Sequence, residues 1–188
     1  MEVKVFRFDA TKLILSKLDN QPIVANLGPT SDELWHAEHR DRNFYTYGNM
    51  GLCSSIALGM ALCNDEKIIS LDGDGSLLMN LGTLATINRE NPKNLIVLVY
   101  DNEMWGQTGR QATHTSTGTE LIEVAEGCGI KNTTIVHDLE TLSEAFDKAL
   151  VEDGPWFIVA KIEETDYLPV PTPEPEFTMY RFRNSFLN

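Results

Sequence analysis

Short apolar runs separated by segments of helical character, from about residue 22 to residue 162, constrain this chain more than any other feature. The runs are 22–28 (PIVANLG), 43–47 (NFYTY), 67–72 (KIISLD), 94–101 (NLIVLVYD), 133–137 (TTIVH) and 154–162 (GPWFIVAKI). Most lack strict polar–apolar alternation, as expected of strands buried on both faces of a parallel sheet. Helices are expected near 31–39, 51–63, 76–89, 119–128 and 139–151. A capping box of Thr30 and Glu33 would open the first, and Thr119 and Asp138 would cap the last two. Strands alternating with helices predict an α/β, doubly wound fold: a mostly parallel six-stranded sheet with helices on both faces.

That pattern fills residues 1–164, and its 188-residue chain is long enough for one sizeable core. Residues 165–188 form a Pro-rich tail in which Pro169, Pro171, Pro173 and Pro175 oppose a helix or a central strand. The tail ends in FTMYRFRNSFLN, whose aromatics favour packing along a neighbouring surface. No apolar run is long enough to cross a bilayer, and MEVKVFRFDA lacks the layout of a signal peptide, so a cytoplasmic location is expected. A net charge of −13 argues against nucleic acid or an anionic membrane as partner. Cys53, Cys63 and Cys128 contain no CxxC pair and read as buried, inert thiols.

An acidic chain that binds an anion needs local compensation, and LDGDGSLLMN (71–80) is where it is expected. Three familiar motifs fail there. A dinucleotide fingerprint from Gly73 would need glycine at Leu78, a P-loop would need a Gly-Lys-Ser/Thr ending, and an EF-hand from Asp72 would need glycine at Leu77 and glutamate at Thr83. A fourth arrangement fits. Between Gly75 and Asn102 lie 26 residues, the span of one helix and a returning parallel strand, which brings Asn102 beside Asp74 at the same sheet edge. An Asp carboxylate, an Asn amide oxygen and a backbone carbonyl are hard oxygen ligands suited to Mg²⁺ that leave places for phosphate oxygens. Gly75 permits close backbone approach, and the amides of Gly75 and Ser76 open the following helix. Strand ends such as these are where ligands sit in open parallel sheets.

Gly73-Asp74-Gly75 followed at this interval by Asn102 resembles the motif of the thiamine diphosphate (TPP)-dependent decarboxylases and related enzymes. The resemblance extends in order through RNFYTYGNMG, SSIALGMAL, DGDGSLLMNLGTLATI, NPKNLIVLVYDN, TGRQATHT and AEGCGI, nearly the whole chain before the tail. It implies Asp74 and Asn102 as Mg²⁺ side-chain ligands, with the Met104 carbonyl as a third. It also implies that the Gly48 carbonyl accepts from the aminopyrimidine of TPP and that Met50 supports the bent cofactor. Thr30 and Ser31, in NLGPTS, would add diphosphate contacts, though plain helix-start residues would look the same. Departures are Asp101, where many members have asparagine; NMG, where a serine often precedes the methionine; and MWGQTG, in place of a Tyr-Gly-Ser-Thr-Gly-like run.

The family also requires a glutamate from a separate pyrimidine-binding domain, for which this chain has no length. The resemblance therefore implies a heteromer, with that glutamate on a pyrimidine-binding-domain (α) subunit and no catalytic residue of its own in this chain. The implied substrate is a small-molecule 2-oxo acid: 3-sulfopyruvate, decarboxylated to sulfoacetaldehyde and CO₂ on the way to coenzyme M, or alternatively phosphonopyruvate. Arg110 and His114, in the long loop after Asn102, are candidates for the second anionic group, and a solvated loop would look alike. A 2-oxoacid:ferredoxin oxidoreductase would need iron–sulfur cysteines absent here. A non-catalytic TPP-binding regulatory subunit would be free to lose the Asp74–Asn102 pair.

Overall fold

The computed structural model describes residues 5–164, 168–171 and 174–187. In chain order the elements are α1 (Arg7–Ser16), β1 (Ile23–Ala25), α2 (Pro29–Ala37), β2 (Asn43–Tyr45), α3 (Cys53–Ala61), β3 (Ile68–Gly73), α4 (Asp74–Leu78), α5 (Gly82–Glu90) and β4 (Leu95–Asp101). They continue with β5 (Met104–Trp105), β6 (Gln111–Ala112), α6 (Leu121–Gly127), β7 (Asn132–Val136), α7 (Leu139–Val151), β8 (Trp156–Lys161) and α8 (Pro175–Leu187). The main sheet has the order β2-β1-β3-β4-β8-β7 and every neighbouring pair is parallel. All six expected strands are present, and the expected mostly parallel sheet is parallel throughout. β5 and β6 form a separate antiparallel ribbon.

The central strands read as continuous apolar runs because both of their faces are covered. Along β4, Ile96, Leu98 and Tyr100 join one core layer, with Ile14 of α1, Leu34 of α2 and Phe146 of α7. Leu95, Val97 and Val99 join the opposite layer, with Ala57 of α3, Leu77 of α4, Ile87 of α5 and Ala125 of α6. Full burial of each large apolar side chain contributes about 1.5–3 kcal/mol. Two layers on one sheet therefore hold the strand ends in register.

Local chemistry moves several element boundaries. α2 starts at Pro29, not at a Thr30 cap: Gly28 stands at the cap with φ 73°, and Glu33 turns away to Arg7. Proline suits a first helical position because its missing N–H would have no partner there. α6 is capped at Glu120, not Thr119, whereas Asp138 caps α7 as expected, accepting from the Thr141 N–H at 2.8 Å. The helix expected over 76–89 is two, α4 and α5. Asn80 interrupts it by donating through its side chain to the Gly51 carbonyl (2.9 Å). Of the three cysteines only Cys53 is fully buried; Cys63 is exposed.

Two helices escape the sequence pattern, besides the short β5–β6 ribbon. α1 is weakly amphipathic, yet Arg7 at its first turn makes a two-pronged, buried pair with Glu33 of α2 (3.1 and 2.8 Å). In the tail, Pro175 opens α8, so the proline that argued against a helix begins one. α8 lies on its own chain. Phe182 is buried with its ring edge on Phe44 (5.2 Å), and Arg181 Nη2 donates to the Asn43 carbonyl (2.9 Å). The remaining tail prolines are non-helical at Pro169 and Pro171, and Pro173 lies outside the described residues.

Arg7→Ala leaves the Glu33 carboxylate buried without this cation. Its expected cost is about 3 kcal/mol of unfolding free energy, read as a lower urea midpoint at an unchanged slope.

Candidate functional site

The chain runs from β1 outward to β2, then returns to the other side of β1 as β3. The sheet order thus reverses between β1 and β3, and ligands bind in the crevice outside the carboxyl ends of strands at such a point. A cavity of about 110 Å³ lies there. Asn26 and Thr30 line it from the turn after β1, Gly73 to Ser76 from the end of β3, and Asn102, Met104 and Trp105 from the end of β4. The register pairs Gly73 with Tyr100, so Asp74 and Asn102 leave adjacent strands at matching depth.

Eight of the residues singled out in the sequence line this one cavity: Thr30, Met50, Gly73, Asp74, Gly75, Ser76, Asn102 and Met104. Ser31 and Gly48 line a neighbouring hollow of about 210 Å³, bounded also by Trp35, Val170 and Pro171. Ser31 Oγ donates to the Asn26 carbonyl (2.7 Å), which fixes the turn before α2. Gly48 is exposed, with φ 66°. Arg110 and His114 line neither hollow, and each instead contacts a residue of the cavity wall. Arg110 pairs with Glu164 (2.7 Å), and His114 meets the Trp105 ring edge-on (5.7 Å).

Asp74 opens α4 and is 3% exposed. Burial pushes its carboxyl up to about 6; the Thr113 hydroxyl opposes that shift and the nearby Asp101 charge adds to it. This is a buried carboxylate with hydroxyl partners, a setting that favours an added cation. Asn102 Oδ1 accepts from the Met104 N–H (3.3 Å) while its amide donates to Glu164 (3.0 Å). Met104 stands opposite Ala112, and the Thr113 N–H donates to the Glu103 carbonyl one residue earlier. Met104 therefore occupies a non-hydrogen-bonded ribbon position, which turns its carbonyl away from β6. A carboxylate, an amide oxygen and a free-facing carbonyl are donors that suit a hard divalent cation completed by water or phosphate. Among the described residues no group of three or more His, Cys, Asp or Glu side chains could hold a metal.

Asp72, for which the sequence suggests no role, organises the framework. Fully buried at the end of β3, it accepts from Ser54 of α3 (2.7 Å) and from the Gly73 N–H (2.9 Å). Burial raises its pKa, and hydrogen bonds from Ser54 and Ser76 oppose the shift. Ser76 Oγ in turn accepts from the Gly51 N–H (2.9 Å), tying the Met50 loop to α4.

Asn26, Trp105, Gln107, Glu164 and Arg7 are among the lining residues that the sequence does not single out. Asn26 is 8% exposed, and its Oδ1 is buried without a hydrogen-bond partner at the cavity wall. Its place directly after a strand, in NLGPTS, was the available signal. A Cβ on Gly75 would lie 2.2 Å from Trp105 Nε1, and one on Gly28 would lie 2.6 Å from the Gln107 side chain. The close approach that Gly75 permits is thus taken by an indole, where a phosphate was expected. Glu164 and Arg7 complete the wall, Arg7 with its charge already met by Glu33.

Residues 30–160 match the model for the thiamine pyrophosphate enzyme C-terminal TPP-binding domain. The chain belongs to the thiamine pyrophosphate enzyme family. It is 44% identical over 181 residues to the sulfopyruvate decarboxylase subunit beta of Methanocaldococcus jannaschii, covering 94% of each chain. It is 40% identical to the sulfopyruvate decarboxylase of Methanosarcina acetivorans, covering 96% of this chain but 47% of that protein. Against the phosphonopyruvate decarboxylase of Streptomyces viridochromogenes it is 37% identical, over 94% of this chain and 45% of the other. A Rhodococcus jostii thiamine diphosphate-dependent 4-hydroxybenzoylformate decarboxylase shares the fold, with TM-score 0.75 and 21% identity over 89% of this chain and 34% of that one. No helix among the described residues is long and apolar enough to cross a membrane.

With Asp74 and Asp32 both held near 6, the fold binds more protons than the unfolded chain between about pH 4 and 6. In the absence of ligands, stability is expected to fall as pH rises through that window. Asp74→Asn should shrink the fall in a urea-melt series, leaving the part due to Asp32 and Asp72.

Proposed function

We propose that the chain is the β subunit of a TPP- and Mg²⁺-dependent decarboxylase that converts 3-sulfopyruvate to sulfoacetaldehyde and CO₂, a step toward coenzyme M. The observation behind this reading is the single cavity at the switch point that gathers Asp74, Gly75, Asn102 and Met104 in a chain matching a sulfopyruvate decarboxylase subunit beta over nearly its whole length. Bound TPP supplies the electron sink that lets CO₂ leave a 2-oxo acid. The chain's own residues bind and orient. Asp74, Asn102 and the Met104 carbonyl hold Mg²⁺, which offsets the diphosphate charge in a protein of net charge −13.

Asn26, Thr30 and Ser76 stand where polar contacts to the diphosphate are needed, with Ser31 fixing the turn behind them. Met50 forms apolar wall under the bent cofactor, and the Gly48 carbonyl is offered to its aminopyrimidine. Trp105 and Gln107 cover Gly75 and Gly28, so residues 105–108 swing aside when a diphosphate enters. Arg110 and His114, beside the wall residues Glu164 and Trp105, are the candidates to meet a sulfonate; Arg110 must first exchange its Glu164 partner for it.

The glutamate that activates the cofactor comes from a pyrimidine-binding-domain (α) subunit, so the active enzyme is a hetero-oligomer in the cytoplasm. Relatives named as a subunit beta, of which this chain covers 94% and 98%, support a partner subunit.

Decarboxylation of sulfopyruvate, phosphonopyruvate and pyruvate, assayed with TPP and Mg²⁺, tests the assignment. Activity is expected only when the chain is joined by its partner, and highest on sulfopyruvate. Turnover by the chain alone would overturn the split site, and a preference for phosphonopyruvate would reassign the substrate. Asp74→Ala is expected to abolish Mg²⁺-dependent TPP binding in calorimetry while leaving the far-ultraviolet spectrum unchanged; retained affinity would remove Asp74 from the metal site.

A further inference from the structure

The stretch GRQATHTST reaches the metal side of the cavity through its threonines. Thr113 Oγ1 donates to Asp74 Oδ2 at 2.5 Å, and Thr115 Oγ1 lies 3.3 Å from the same oxygen. Thr115 Oγ1 is closer to Asp101 Oδ1, at 2.8 Å, and the two hydroxyl oxygens are 2.9 Å apart. Thr113 is 1% exposed and Thr115 is 7% exposed, so the hydroxyls are fixed inside the protein. Two hydroxyl protons serve two carboxylates: the short contacts assign Thr113's to Asp74 and Thr115's to Asp101.

The second oxygen of Asp101 is already taken, since Lys161 Nζ lies 2.8 Å from Oδ2 and 2.8 Å from Glu103. Burial works against the Lys161 charge, but its hydrogen bonds to Asp101 and Glu103 outweigh burial and hold the ammonium above its usual pKa. Of two neighbouring buried aspartates, one has its own cation and the other has threonine hydroxyls on one oxygen and a backbone hydrogen bond from Gly75, but no cation. That asymmetry selects which of them meets a metal.

Resting on the cofactor reading above, we propose that Thr113, with the Thr115 hydroxyl set against it, is the positioning residue that engages Oδ2 of Asp74, so that a divalent cation meets Oδ1 alone. Lys161 keeps Asp101 from competing for it. Contact through one carboxylate oxygen suits Mg²⁺, which demands near-octahedral geometry, whereas Ca²⁺ accepts both oxygens of a carboxylate readily. Removing the Thr113 hydroxyl frees Oδ2, which weakens the Mg²⁺ site and shifts cation preference toward Ca²⁺.

Thr113→Val keeps the side-chain shape without the hydroxyl, and Thr113→Ser keeps the hydroxyl. TPP binding to the full chain, alone and with its partner subunit, is measured by calorimetry in Mg²⁺ and in Ca²⁺. Thr113→Val is expected to bind about tenfold more weakly in Mg²⁺, with a smaller loss in Ca²⁺, and Thr113→Ser within about twofold of the unaltered chain. Thr115→Val, which removes the hydroxyl set 2.9 Å from that of Thr113 and so loosens it, is the second variant should Thr113→Val fail to fold, and it is expected to shift cation preference in the same direction. Unchanged Mg²⁺ binding in Thr113→Val, an equal loss in both cations, or a Ser variant as weak as the Val variant would overturn the positioning role. Absence of Mg²⁺-dependent TPP binding by the unaltered chain and complex would overturn the cofactor reading itself, and the inference with it.

Discussion

Three carboxylates buried at the carboxyl ends of two adjacent strands set the terms for everything around them. Asp72, Asp74 and Asp101 are each 3% exposed or less, in a chain that is acidic overall. Burying charge is tolerable only when each group has partners, and here the partners differ. Asp72 is met by serine hydroxyls and a backbone N–H, and so becomes part of the frame joining α3 and α4 to the sheet. Asp101 is met by Lys161. Asp74 is met by threonine hydroxyls and keeps an unbalanced charge at the cavity wall. The site is defined by which carboxylate the fold leaves without a cation.

Much of this was legible in the sequence because the parallel sheet imposes a simple arithmetic. A strand buried on both faces is an uninterrupted apolar run, and a helix plus a returning strand needs a fixed length. The six strands and the meeting of Asp74 with Asn102 at one edge follow from those two rules. Eight of the residues picked from the motifs line one cavity for the same reason.

What the sequence did not disclose depends on long-range contacts. The Thr30–Glu33 pattern looked like a local cap, but Glu33 is claimed by Arg7, 26 residues earlier. α1 gives little pattern because a buried ion pair, as well as an apolar stripe, fixes it. Charge marks Arg110 and His114 in the loop sequence, whereas the hydroxyls of Thr113 and Thr115 carry no such mark. Only the fold shows that alternate residues of that loop turn inward. Cys63 was expected inside and is outside because α3 ends just before it, and the packing face does not extend that far.

The placement of α8 bears on how the molecule avoids unwanted company. β2 is the last strand on its side, and an open strand offers its backbone groups to any other chain in extended form. Arg181 donates to the carbonyls of Arg40 and Asn43, and Phe182 covers Phe44, so the flank is occupied by the chain's own C-terminal segment. Cleavage ahead of Pro175 would strip that guard and expose a template for strand addition. The aromatic tail helix thus does for β2 what a further strand would otherwise do: it closes the flank.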